Sequence, residues 1–182
     1  MDPLVPFHGT SIIHVSRVEG NRIHFSQVLS YDYEDTTPDT SYHEKASLDP
    51  TFIERERRVL GTNMQGFLNE EVNVVNGKRT HPRVLYTWIG FKSSPKHPFF
   101  TWFIEWTGPE APAGRVQEYT ARVQAATLDY DVRSTYIFPP GTIVERIDST
   151  LPWQNEPPHV ITYEGKKGAS VGTTEAIAWR WS

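Results

Sequence analysis

A chain of 182 residues has the usual length of one domain, enough to bury about 70% of its unfolded surface in a single core. With 18 basic and 22 acidic side chains the net charge is -4, so there is no general attraction to phosphate backbones or anionic lipid, and neither nucleic acid nor a membrane is expected as a partner. The absence of cysteine excludes disulfides, thiolate metal sites, iron–sulfur ligation and cysteine nucleophiles.

Residues 1–9 contain no basic segment followed by an apolar stretch of signal-peptide length, and no run of about 18 apolar residues occurs anywhere. They read as an N-terminal extension of a soluble, cytoplasmic protein. Ser11 to Val18 and Asn21 to Ser30 then alternate apolar with polar side chains around Glu19-Gly20-Asn21, the pattern of a hairpin with a three-residue loop. This pairing places Ile13, Val15, Ile23 and Phe25 on one face and His14, Ser16, His24 and Ser26 on the other.

Residues 31–46 are acidic, rich in hydroxyl groups and interrupted by Pro38, so they read as a long loop. A helix is expected over 47–61. Ser47 or Asp49 caps it, Pro50 lies in its first turn, Phe52, Ile53, Val59 and Leu60 form its apolar stripe, and Gly61 stops it.

From Phe67 the chain reads as successive strands: Glu70 to Val75, Arg83 to Phe91, Phe99 to Trp106, Val116 to Tyr130, Arg133 to Phe138, Thr142 to Ile147, His159 to Tyr163 and Val171 to Trp181. With the first hairpin this makes about ten strands, more than an open twisted sheet carries without curling or splitting. The expected fold is mainly β: one antiparallel β-barrel domain over 1–182, a calycin-like meander with one substantial helix after the first hairpin. A two-sheet sandwich is the alternative. The Gly-x-Trp signature of lipocalins is missing near the first strand.

No phosphate-binding loop, dinucleotide fingerprint, nucleophile elbow or paired-histidine zinc motif is present, and no cofactor is required. The seven histidines lack ligand spacing, so no metal site is expected. The strands Val84 to Phe91 and Phe99 to Trp106 are apolar on both faces and must be covered on both. If one cover is a ligand, Tyr86, Trp88, Trp102 and Trp106 are its walls, with Tyr119, Glu118 and His14 beside them.

Glu105 interrupts an apolar strand and needs a partner; Arg122 is the candidate, to pair with either Glu105 or Glu118. Glu118, Thr120, Arg122 and Gln124 share one strand face, turned either to solvent or into a cavity. Glu105, Arg122 and His24 are the candidate catalytic residues, since a carboxyl group in apolar surroundings can serve as a general acid or base. The expected function is binding of a small apolar or aromatic molecule, with a cofactor-free isomerase, cyclase or lyase step. The rivals are a homodimerisation or other protein-interaction module and, third, a carbohydrate-binding module built on exposed aromatics such as Trp153. In the core reading, Trp179 and Trp181 pack on the first hairpin.

Overall fold

The computed structural model describes residues 4–181. β1 (Leu4–Val18) and β2 (Arg22–Asp35) form the expected hairpin around a turn at Glu19–Asn21. Val15 pairs with Phe25, and Ile13, Val15, Ile23 and Phe25 are all buried. His14 lies opposite Ser26, and Ser16 opposite His24. The hairpin is longer than its alternation suggests: β1 includes residues expected to be an extension, and Leu4 pairs with Asp35.

The expected loop over 31–46 is instead the end of β2, a short turn and α1 (Ser41–Leu48). Asp35 organises this segment. Only 1% exposed, its carboxylate accepts hydrogen bonds from the Thr37 backbone N–H and hydroxyl and from the Tyr42 N–H. Burial alone would raise its pKa, but these donors hold it below the ordinary value. Tyr42 is thereby set against Phe52, Phe91 and Phe100.

α2 (Pro50–Glu70) starts as expected, with Asp49 accepting from the Thr51 N–H and Pro50 in the first turn. It does not stop at Gly61. Glycine inside a helix costs about 1 kcal/mol, and this is offset because Leu60, Met64 and Leu68 continue the apolar stripe into the core. Gly61 has a packing role: a Cβ there would lie 3.0 Å from Thr87 Oγ1, so the glycine lets the helix approach the neighbouring strand. Val59, expected within the stripe, is 48% exposed.

The remaining strands are β3 (Val72–Val75), β4 (Lys78–Thr80), β5 (Arg83–Phe91), β6 (Pro98–Glu110), β7 (Val116–Arg122), β8 (Ala126–Thr127), β9 (Asp131–Ile137), β10 (Ile143–Asp148), β11 (Trp153–Asn155), β12 (Val160–Gly165), β13 (Ser170–Val171) and β14 (Thr174–Arg180). The single strand expected over 116–130 is broken between β7 and β8. The main sheets have the orders β11-β12-β9-β1-β2-β6-β5 and β10-β14-β7-β3-β4, and β13 and β8 form a small ribbon.

These sheets pack as a sandwich, and among the described residues no closed barrel forms. A simple meander fails because β1 pairs with β2 on one side and, in parallel, with β9 on the other. The chain thus crosses between sheets and leaves edges at β5, β11, β4 and β10. Phe25 joins the two layers. It stacks on Trp106 at 4.7 Å within its own sheet and meets Tyr119 and Trp179 from the facing one. Each such side chain contributes about 1.5–3 kcal/mol by burial. The contact of Trp179 with the first hairpin is the expected one, and the cation over Trp181 is Arg17, at 4.9 Å.

Candidate functional site

At one end of the sandwich the sheets part beneath α2 and enclose a cavity of about 640 Å³, within the usual range of about 300–1,000 Å³ for small-molecule sites. The larger sheet contributes Ser11, Gln27, Tyr31, Trp102, Trp106 and Tyr136, the smaller one Asn73, Tyr119, Ala121 and Glu175, and α2 contributes Leu60, Met64 and Phe67. Trp102 donates its indole N–H to the Leu60 carbonyl at 3.2 Å. Gln65 accepts from the Val84 N–H and donates to the Pro82 carbonyl. α2 is therefore pinned over the cavity through both β5 and β6.

Strand register sets the polar floor. Ala121 lies opposite both Glu175 on β14 and Asn73 on β3, so the three share a face. Glu71, two residues before Asn73 and just outside the strand, also lines the cavity. The rings of Tyr136 and Tyr119 meet across the two sheets, 6.2 Å apart. Tyr119 donates to Asn73 Oδ1 at 2.6 Å, and Asn73 Nδ2 donates to Glu71 Oε2 at 3.5 Å. A chain of donors and acceptors thus runs along the cavity floor from Tyr119 through Asn73 to Glu71.

Two carboxyl groups therefore face an aromatic cavity. Burial pushes the Glu71 pKa up, opposed by the Asn73 amide. Burial also raises that of Glu175, opposed by the Ser149 hydroxyl and reinforced by repulsion from Glu71. Neither forms an ion pair among the described residues, and no lysine, arginine or histidine lines the cavity. Burial drives the Tyr119 and Tyr136 hydroxyls well above their ordinary range, leaving them neutral donors. Trp106, 4% exposed, has an indole N–H without an acceptor, which costs about 1–3 kcal/mol.

Of the residues expected at a site, Trp102, Trp106 and Tyr119 line this cavity. The others do not. Glu105 is on the outer face of β6 and pairs at 2.7 Å with Arg83, not Arg122. Glu118 is on the outer face of β7 and pairs with Arg146. Arg122, at the end of that strand, is exposed, so the polar face of β7 is turned to solvent. His24 approaches the Thr107 hydroxyl at 3.4 Å on the outer face of the larger sheet, and His14 is exposed on the same face. Tyr86 and Trp88 are on the outer face of β5, 47% and 44% exposed, with Arg57 over both rings. Sequence reasoning missed Glu71, Asn73, Tyr136 and Glu175.

No group of three or more metal-ligating side chains occurs among the described residues, and no helix among them is long and apolar enough to cross a membrane. A larger, open depression at the other end is lined by turn residues of both charges, including Arg22, Lys78, Arg115 and Glu118.

Fold and site together define a two-sheet β-sandwich with an acid-bearing aromatic cavity between its layers, covered by a helix. No protein-family model matches the chain, and no curated protein matches it. Among solved structures it is similar to an acetylcholine-binding protein from Bulinus truncatus, at 6% identity over 98% of this chain and 89% of that one, with a TM-score of 0.32. It is also similar to the Fcho1 Mu homology domain of Danio rerio, at 9% identity over 98% of this chain and 80% of that one, with a TM-score of 0.23. At these scores neither likeness bears on function.

Proposed function

We propose that the protein binds a small, mostly apolar molecule in the cavity between its sheets. The observation that carries this reading is the convergence of Glu71 and Glu175, without basic partners, on a cavity walled by Trp102, Trp106, Tyr119 and Tyr136. Two carboxyl groups in surroundings that raise their pKa destabilise a fold and are useful to a ligand site. The reaction class that fits them is a cofactor-free isomerisation, cyclisation or lyase step, in which a carboxyl group titrating nearer neutrality exchanges a proton with an oriented substrate. The cavity takes the place that a barrel interior was expected to fill.

Native mass spectrometry tests this proposal. The protein purified from cells is expected to retain a small molecule, and Ala121→Leu, which fills the floor of the cavity, is expected to remove it. Retention unchanged in Ala121→Leu would place the molecule elsewhere.

A second reading, homodimerisation, rests on the outer face of the larger sheet. Ile12, Val28, Phe103 and Tyr86 form one cross-strand row over β1, β2, β6 and β5, and are 37–47% exposed. Light scattering on Phe103→Glu tests it: a dimer that becomes a monomer supports the interface, and an unchanged mass removes it.

A further inference from the structure

We infer, resting on the cavity reading above, that the occupant is an organic ammonium ion whose charged end sits between Glu71 and Glu175 and whose apolar body lies against Trp102 and Trp106. Charge and shape both point to it. The cavity holds two carboxyl groups and no side chain that can neutralise them, and the groups closest to these carboxyls are neutral amides and hydroxyls: Asn73 beside Glu71 and Ser149 beside Glu175. An anion entering here would meet like charge. A neutral molecule would leave the carboxylates as costly as before, whereas an ammonium group supplies the missing partner and can donate to both.

The walls suit the same ligand. Tyrosine and tryptophan faces attract cations through their ring quadrupoles, and eight of the lining residues are aromatic. The Tyr119–Asn73 chain ends on Glu71, so a hydrogen-bond donor already approaches Glu71 from one side. That arrangement favours the ionised form when a cation approaches from the other.

Calorimetric titration with three probes of one shape separates the possibilities: tryptamine as the ammonium, tryptophol as the neutral alcohol and indolepropionate as the anion. Tryptamine is expected to bind about tenfold or more tighter than tryptophol, and Glu175→Gln to erase most of that margin. The glutamine keeps the shape of the side chain and relieves a buried charge, so a melting curve showing an intact fold makes loss of binding a charge effect. Equal binding of tryptophol and tryptamine, or preference for the anion, overturns the ammonium inference and leaves the cavity reading in place. If none of the three binds, both fail.

Discussion

Glu175 and Asn73 stand on opposite sides of Ala121, one on β14 and the other on β3, and face the same cavity. The carboxyl is held in surroundings that disfavour its charge, and the amide passes hydrogen bonds toward the second carboxyl, Glu71. At this row the proposed ligand site works against the stability of the fold.

Glu175→Gln is expected to raise the melting temperature at neutral pH. The folded-state pKa of Glu175 is raised, so the folded protein holds a proton more readily than the unfolded chain. This group's effect on stability is therefore most favourable below the unfolded value of about 4.3 and becomes unfavourable as pH rises through the folded value. Thermal melts of wild type and variant should diverge above that window and converge below it. Equal separation at all pH values would mean that charge is not the cause.

Asp35→Ala is expected to destabilise by about 2 kcal/mol, because it leaves the Thr37 and Tyr42 N–H groups without their acceptor. The sign with pH is opposite to that at Glu175. The Asp35 pKa is lowered, so its contribution is present above the unfolded value of about 3.9 and is lost as pH falls through the folded value. Urea unfolding of wild type and variant across that range checks both size and sign.

Asn73→Leu is expected to cost about 1–3 kcal/mol, since the buried Tyr119 hydroxyl loses its acceptor. Adding Tyr119→Phe should recover part of the loss. A double-mutant cycle in denaturant measures the coupling, and strict additivity would show that the two side chains do not interact.

Gly108→Ala is expected to destabilise by about 1–3 kcal/mol through overpacking. A Cβ there would lie 2.8 Å from Val75 Cγ1, a side chain that is itself fully buried. Because β6 and β3 belong to different sheets, the clash would push the layers apart. A circular dichroism melt gives the answer, and an unchanged midpoint would show that the layers yield at this point.

The mainly β character, the face assignment of the first hairpin, the start of α2 and three of the cavity aromatics were all legible from alternation and turn chemistry. Barrel against sandwich was not, because the parallel pairing of β1 with β9 joins residues more than a hundred positions apart and leaves no local trace. The site was partly legible. Glu105 shares its phase with Thr101, Phe103 and Thr107 on the outer side of its strand, whereas Glu175 is in phase with Ile177 and Trp179, which are buried. A carboxyl in step with buried neighbours two residues apart is the signal that distinguishes them, and the prominence of the aromatic run around Glu105 concealed it. Glu71 had no such signal, because it lies just outside its strand.

The position of β1, inside the larger sheet with β2 on one flank and β9 on the other, also orders events on the ribosome. The first hairpin emerges before β9, and one flank of β1 has no partner until residues 131–137 have been made. Its backbone groups on that side wait while more than a hundred further residues are made, an open template for any passing strand. Chains released before β9 should therefore be prone to aggregate, and completing that one strand should abruptly increase the yield of soluble protein.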